Sequence, residues 1–405
     1  MQLQLMSEIL DSLKVQLDAT GIKSLLNWIW LTLKIGRQPI VWTKNFDHYQ
    51  NYSQLTDYKL LRELQRTADI STELSPYRVY EYYKSERFSF AAMFKTYLQD
   101  SYDKKLNYIS LSKKKGRLSR QKYNVVLDHA DESNYSKPAF FVIKNGDLIT
   151  IIVRGTANKS DKMIDIDAKP EYVDGMYVHS GFYWHAQTIF QDLELENLIS
   201  DSFTYVTTGH SMGGAVSCLL GYLLYQYFLQ SSPTPKVTSY GYGMACVGCI
   251  KFSKYCSKFC TTVVNGFDSV PAFSFHSMKV QMERLLHENN KKFMSKSQLV
   301  KVNQQIKDGQ IMMQNPRLGE TANLNLGQIF ETLSQNPTSR EISERCVAED
   351  DLFPAGIIYH YIKGKFFQIS VHDISEISLS IPSIFDHFGY VQMVRDIGIM
   401  LDKQE

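Results

Sequence analysis

The sequence predicts an α/β fold, with a mostly parallel central sheet flanked by helices. The first observation is that apolar, β-branched runs of strand length alternate with longer helical runs between residues 139 and 264. This alternation is typical of parallel sheets, because each crossover connection lays a helix over one face. The second observation is the pentapeptide Gly-His-Ser-Met-Gly at 209–213, which stands between a strand run and a helix run. The third is a pair of apolar hairpins, one before this pentapeptide in the sequence and one after it.

The pentapeptide centred on Ser211 predicts a sharp turn from a strand into a helix. A serine can project its hydroxyl from such a turn when the residues two before and two after it lack side chains, as Gly209 and Gly213 do. The alternative is that these residues form an ordinary glycine-serine turn without a catalytic role. The flanking strand and helix favour a nucleophilic serine instead. The N–H of Met212, at the helix start, is a predicted donor to a developing oxyanion.

Composition divides the chain into parts. Residues 1–105 predict an N-terminal helical region that packs on the catalytic domain or anchors it, and residues 106–405 predict that catalytic domain. Within it, residues 278–350 are polar, charged and poor in aromatic side chains. They predict a cap-like insertion, with a partly disordered regulatory segment as the alternative.

Two segments leave membrane contact open. Residues 1–35 have apolar side chains at helical spacing, with Trp28 and Trp30 between basic flanks. This suits either a helix packed on the protein or one lying in a membrane interface. The basic run 113–122 suits either a solvated loop or contact with anionic lipid headgroups.

The remaining elements follow from periodicity and turn residues. Two apolar runs flank Asn145-Gly146, which predicts a hairpin over 139–153. The further predicted elements are helices at 184–199, 212–229 and 250–259, strands at 237–242 and 261–264, a second hairpin at 352–371, and a helix that ends near residue 401.

A serine hydroxyl needs an imidazole to accept its proton and a carboxylate to fix the tautomer of that imidazole. In this strand-turn-helix arrangement the partners follow in the order Ser, Asp, His. Asp268 comes just after the strand 261–264 and is the predicted carboxylate. A turn-capping role for Asp268 is the alternative, and the weaker carboxylate candidates are Asp308, Asp350 and Asp351.

Five histidines follow Asp268. His360 lies in an apolar strand and His287 in a polar helix, while His276 is only eight residues away. His372 ends a strand and stays a candidate. His387 lies between the last strand and the terminal helix, and it is the preferred base.

The second oxyanion donor is predicted in the turn after an earlier strand. Gly155 allows close backbone approach there, and Thr156 supplies an amide and a hydroxyl. The predicted oxyanion residues are therefore Thr156 and Met212.

These segments together resemble the class 3 lipases, and more narrowly the branch that contains the sn-1-specific diacylglycerol lipases. The similar segments are 153–156, 161–165, 178–182, 209–214, 263–271, 352–356 and 386–387. The resemblance implies an α/β-hydrolase fold, hydrolysis of a glycerolipid ester without cofactor or metal, and a mobile insertion that screens the site. Ala272-Phe273 departs from the arginine and small residue that the family usually has there.

Net charge, apolar run length and cysteine content limit the possible partners and cellular location. The net charge of +2 gives no general case for a nucleic-acid partner. No apolar run of membrane-spanning length and no secretory signal are recognised, and the six cysteines suit a reducing compartment. The expectation is an intracellular protein, cytoplasmic or peripherally attached to a membrane or lipid droplet. A zinc site at Cys246, Cys249, Cys256 and Cys260 is less favoured than packed thiols.

Four functions stay open at this point. The preferred one is a serine hydrolase that cleaves diacylglycerol or a related lipid through an acyl-enzyme. The neighbouring alternatives are a phospholipase A1 or a general carboxylesterase. An alternative of another class is a catalytically silent, lipase-like protein that binds lipid or signals.

Overall fold

The computed structural model describes residues 51–72, 122–130, 138–155, 170–274, 276–277, 280, 339–362, 364–376, 386–387 and 389–402. The chain divides into two compact units. The smaller comprises Met1–Lys44 and His276–Val347, and the larger comprises Asn45–Phe275 and Ala348–Glu405. The predicted boundary at residue 105, the helices of residues 1–35 and most of the insertion 278–350 lie outside the described residues, and so do His287 and Asp308.

The larger unit contains ten described strands. They are β1 (Val125–Asp128), β2 (Phe140–Asn145), β3 (Leu148–Val153), β4 (Pro170–Val173), β5 (Met176–His179), β6 (Thr204–His210), β7 (Val237–Tyr242), β8 (Cys260–Asn265), β9 (Ile357–Ile362) and β10 (Lys365–Ile369). Eight form one sheet in the order β1-β2-β3-β6-β7-β8-β9-β10, and β4 pairs with β5 separately.

The centre of the sheet is parallel. The pairings β3 with β6, β6 with β7, β7 with β8 and β8 with β9 are parallel. The pairings β1 with β2, β2 with β3 and β9 with β10 are antiparallel, and they include both predicted hairpins. The prediction of a mostly parallel central sheet is confirmed.

Five described helices belong to the larger unit and one to the smaller. Those of the larger unit are α1 (Tyr58–Thr72), α2 (Ser180–Leu195), α3 (Met212–Leu229), α4 (Ile250–Cys256) and α6 (Tyr390–Asp402). In the smaller unit, α5 (Ser339–Arg345) carries Ser343, whose Oγ lies 2.7 Å from Nε2 of His276. The predicted helix at 184–199 starts four residues earlier, because His179 caps its N-terminus by accepting the N–H of Phe182.

The helices cover the sheet on both faces. Tyr205 of β6 is buried in a core formed with α2 and α3, while the next residue, Val206, is buried with α1 and α6. Successive side chains of a strand point to opposite faces, so a strand covered on both sides has no polar face. This explains the nearly continuous burial of β6.

Helix α3 runs through the middle of the first of these cores. It is 18 residues long and apolar enough to cross a membrane, yet 72% of it is buried inside the protein. The expectation that no apolar run has the length of a membrane span is therefore wrong for α3. Its composition has a different cause, because a helix packed on a sheet and on α2 exposes little surface to water.

Candidate active site

The backbone at Ser211 is held in an unusual conformation. Its φ is 61° and its ψ is −130°, which lies in a region that residues with a side chain rarely adopt. A Cβ on Gly209 would lie 2.4 Å from the carbonyl oxygen of Gly213, and one on Gly213 would lie 2.3 Å from the carbonyl oxygen of Val153. Both contacts are impossible, so the turn needs glycine at these two positions.

The three predicted catalytic side chains lie in one chain of hydrogen bonds. Nε2 of His387 is 3.0 Å from Oγ of Ser211. Nδ1 of His387 is 2.9 Å from Oδ1 and 3.0 Å from Oδ2 of Asp268. These are the distances at which a serine can pass its proton to an imidazole that a carboxylate orients.

Asp268 is a buried acceptor. Its side chain is completely shielded from water, and its Oδ1 accepts the N–H of Val270 over 2.9 Å. Its Oδ2 accepts the hydroxyl of Tyr390 over 2.8 Å. These hydrogen bonds offset part of the free-energy cost of burying the polar carboxylate oxygens. The same carboxylate therefore accepts Nδ1–H of His387, which leaves the lone pair of Nε2 facing Ser211.

The short segment that carries His387 is bound to two strands. The carbonyl of Asp386 accepts the side-chain amide of Asn265 over 2.8 Å, and Oδ2 of Asp386 accepts the N–H of Phe267 over 2.7 Å. Burial raises the pKa of the Asp386 carboxyl. On the other side, Nε2 of His210 lies 2.8 Å from the carbonyl oxygen of His387. The base is thus attached to the ends of both β8 and β6.

Other candidate residues lie elsewhere. The ring of His372 packs near that of Phe353. Nε2 of His360 lies 2.6 Å from the carbonyl oxygen of Gly266. Oδ2 of Asp351 accepts the N–H of Ala348 in a local turn. Neither His372 nor Asp351 is part of the hydrogen-bonded chain at Ser211.

The oxyanion residues are described in part. Met212 is the first residue of α3, where backbone N–H groups have no partner within the helix. A Cβ on Gly155 would lie 2.6 Å from the carbonyl oxygen of His210 and 3.3 Å from Cβ of Ser211, so the predicted loop begins directly beside the serine. Thr156 lies outside the described residues, and its role stays a prediction.

The cysteines proposed as an alternative zinc site make separate contacts. The Cys246 thiol donates to the carbonyl of Pro271 over 3.2 Å, and Sγ of Cys249 accepts the N–H of Tyr177 over 3.4 Å. Within the described part of the chain, no group of three or more His, Cys, Asp and Glu side chains is arranged to hold a metal ion. Burial raises the pKa of Cys256 and raises that of Cys246 to about 12, so these thiols stay protonated.

The sequence did not assign three groups at this site. They are His210, Tyr390 and Gly243, whose φ is 55° and whose Cβ, if present, would lie 2.5 Å from Oδ2 of Asp268. His210 stands inside the pentapeptide and Tyr390 follows His387 by three residues, so proximity in sequence was an available signal for both. Gly243 follows β7 and had no such signal.

Comparisons with known proteins find one matching family and several similar solved structures. Residues 150–278 match the model of the family described as Lipase (class 3). No curated protein matches the chain. Similar solved structures include the Rhizomucor miehei lipase propeptide complex, with 16% identity, a TM-score of 0.43, and coverage of 84% of this chain and 85% of that one. The lipase from Rhizopus microsporus var. chinensis has 19% identity and a TM-score of 0.37, with coverage of 57% and 75%.

The central parallel sheet, the strained turn at Ser211 and the family match together define the class of this protein. It has the α/β-hydrolase fold and is a lipase-type carboxylic ester hydrolase. The segment that matches the class 3 lipases runs from β3 past the turn that carries Asp268, and it ends before His387.

Proposed function

We propose that this chain hydrolyses an acyl ester of a glycerolipid, diacylglycerol or a related lipid, through an acyl-enzyme on Ser211. The observation that supports this is the chain of hydrogen bonds from Asp268 through His387 to the hydroxyl of Ser211. A serine hydroxyl is a weak nucleophile near neutral pH, and this arrangement supplies the base that activates it.

The first half of the reaction forms the acyl-enzyme. Oγ of Ser211 attacks the ester carbonyl carbon while Nε2 of His387 takes the hydroxyl proton. The carbonyl oxygen gains negative charge, and the proposed donors to it are the N–H of Met212 at the start of α3 and Thr156. When the tetrahedral intermediate collapses, His387 gives its proton to the leaving alcohol and the acyl group stays on Ser211.

The second half releases the fatty acid. Water attacks the acyl-enzyme while His387 accepts a proton from it, and collapse returns that proton to Oγ of Ser211. Throughout both halves Asp268 stays ionised and stabilises the imidazolium of His387. The buried position of Asp268 strengthens that attraction, since little water screens the two charges.

The lipid character of the substrate is proposed from the class 3 lipase match and from one surface feature. Phe273 is 62% exposed and follows the short 3-10 helix Val270–Ala272, directly after the turn that carries Asp268. Pro271 and Ala272, the two residues before it, are buried. An exposed aromatic ring next to buried, well-packed residues can enter a lipid surface beside the site. We therefore propose peripheral action at a membrane or lipid droplet inside the cell.

A fluorophosphonate probe tests the nucleophile. Wild type should be labelled, and Ser211→Ala should lose both the label and ester hydrolysis, by roughly a millionfold in kcat for a residue of this kind. Ser217→Ala, a buried serine of α3 away from the turn, is the matched control and should be labelled like wild type. Absence of labelling of wild type with detergent and with bilayers would favour the silent lipid-binding alternative.

The substrate is tested with a panel of lipids. Release of fatty acid is measured from diacylglycerol, triacylglycerol, phosphatidylcholine and a soluble short-chain p-nitrophenyl ester. The proposal expects the highest kcat/KM with diacylglycerol. Preference for phosphatidylcholine would indicate a phospholipase A1, and activity on the soluble ester alone would indicate a general carboxylesterase.

The role of Phe273 is separable from the chemistry. Phe273→Ala should lower hydrolysis of emulsified or vesicle-bound lipid several-fold while hydrolysis of the soluble ester stays within about twofold, because the ring lies outside the hydrogen-bonded chain. Leu195→Ala, which removes an apolar side chain that is 78% exposed from the C-terminal end of α2, is the control. Equal loss on both substrates would contradict an interfacial role.

A further inference from the structure

His210 is a buried, titratable side chain that the proposed reaction does not use. It is the last residue of β6, directly before Ser211, and its side chain is 6% exposed. Its ring lies 4.4 Å from the ring of His387 and 5.2 Å from the ring of Tyr390, measured between centroids. The imidazole is therefore enclosed between the nucleophile's strand and the segment that carries the base.

The contact with the backbone of His387 defines the state of this imidazole. Nε2 of His210 lies 2.8 Å from the carbonyl oxygen of His387, and a carbonyl can only accept. The proton of His210 is thus on Nε2, and the bond runs from the side chain of one histidine to the main chain of the other. Burial, with a smaller effect from nearby His387, lowers the pKa of His210 to about 3.

We propose that His210 is a positioning residue that fixes the catalytic base relative to the nucleophile, and this inference rests on the function proposed above. The bonds from Asn265 and Phe267 attach Asp386 to the turn that carries Asp268. His210 instead attaches His387 to the strand that ends at Ser211. This bond joins the two elements in addition to the catalytic hydrogen bond itself.

The positioning matters because proton transfer depends on distance. Nε2 of His387 and Oγ of Ser211 are 3.0 Å apart, and they belong to elements 176 residues apart in the chain. Without the bond from His210, the segment with His387 keeps its bonds toward Asp268, so the base can move away from the serine while keeping its carboxylate. A displacement of 1 Å can lower a catalytic rate by roughly 100-fold.

The neutral ring of His210 is also compatible with the positive charge that develops on His387. His387 becomes an imidazolium during both halves of the proposed reaction, and the ring of His210 is in van der Waals range of it. An uncharged donor holds the carbonyl of His387 without repelling that charge. The groups facing His210 are His387, Asp268 and Tyr390, and only His387 gains positive charge in turnover.

Two substitutions separate the donor from the ring. His210→Phe keeps an aromatic ring and removes the donor, while His210→Gln keeps a side-chain N–H that can reach the same carbonyl. With a soluble p-nitrophenyl ester, His210→Phe should lower kcat roughly 10- to 100-fold with KM within about twofold. His210→Gln should recover most of that loss. His185→Phe, a fully buried histidine on α2, controls for the loss of any buried imidazole and should keep the wild-type kcat.

A second readout does not depend on turnover. In the imidazole NMR spectrum at fixed pH, His210→Phe should shift the Nδ1–H and Nε2 resonances of His387, whereas His185→Phe should leave both unchanged. A wild-type kcat and unchanged His387 resonances in His210→Phe would overturn the inference, and so would equal losses of kcat in His210→Phe and His210→Gln. If wild type hydrolyses no ester at all, the proposed function fails, and the NMR comparison still decides the positioning role.

Discussion

Tyr390 donates its hydroxyl to Oδ2 of Asp268 over 2.8 Å, three residues after His387, whose Nδ1 lies 2.9 Å from Oδ1 of the same carboxylate. The phenol is fully buried and also accepts the N–H of Asn265 over 3.0 Å. Burial, followed by the nearby charge of Asp268, raises the pKa of Tyr390, so it stays a donor. One short segment therefore supplies both the base and a group that stabilises the carboxylate.

Tyr390→Phe should lower both stability and activity. It removes a hydrogen bond to a buried charge, which contributes about 1.5–3 kcal/mol to the free energy of unfolding. The Asp268 carboxylate is then held less firmly against His387, which should reduce kcat roughly tenfold. Unfolding in urea and ester hydrolysis measure the two effects. The matched control is Tyr361→Phe, because Tyr361 donates to Asp396 over 2.6 Å away from Ser211. It should lose stability alone, and an equal loss of activity in both variants would contradict the prediction.

Asp268→Asn should keep the fold and remove most of the activity. The amide can donate to Nδ1 of His387, which moves the imidazole proton to Nε2 and leaves no lone pair facing Ser211. A decrease in kcat of about 10,000-fold is expected, with little change in KM. The control is Asp174→Asn, since Asp174 accepts a tyrosine hydroxyl outside the site. More than a tenth of wild-type kcat in Asp268→Asn would refute this role.

Gly243→Ala should damage the site by direct contact. The new Cβ would lie 2.5 Å from Oδ2 of Asp268 and 3.1 Å from Nδ1 of His387, at a residue with φ of 55°. Gly146→Ala is the matched control, because Gly146 has φ of 60° and no atom within 4 Å of the new Cβ. Both variants should lose about 1 kcal/mol of stability through backbone strain. Only Gly243→Ala should also lose activity, and preserved kcat in that variant would show that the loops adjust freely.

The titration of His210 predicts how stability depends on pH. The folded-state pKa is lowered from 6.5 to about 3, so between these values the unfolded chain binds the proton and the folded chain does not. The contribution of His210 to the free energy of unfolding should be complete above pH 6.5. It should decrease as the pH falls toward 3, by several kcal/mol in total. Urea midpoints measured from pH 8 to pH 4 test this.

The control for this titration is His210→Gln, which cannot take up the proton. Its stability should depend less steeply on pH than that of wild type over the same interval. Identical slopes for the two proteins would show that His210 does not stay neutral in the folded state.

Local sequence was sufficient for the elements around Ser211. Gly209 and Gly213 predict the turn because backbone atoms of Gly213 and Val153 fill the space where their Cβ atoms would be. The parallel sheet followed from alternating strand and helix runs, and Asp268 followed from its place after β8. Periodicity also predicted α3, although not that its apolar length reflects burial between the sheet and α2.

Which histidine reaches Ser211 depended on tertiary structure. His387 and Asp268 are 119 residues apart, and His210 and His387 are 177 residues apart, so no periodic pattern in the chain encodes their distances. By itself, the sequence determined the turn, the order of the reacting groups and the strands that hold them. Only the folded sheet, which brings the ends of β6, β7 and β8 to one edge, decided that His210, Gly243 and Tyr390 surround the same pair of side chains.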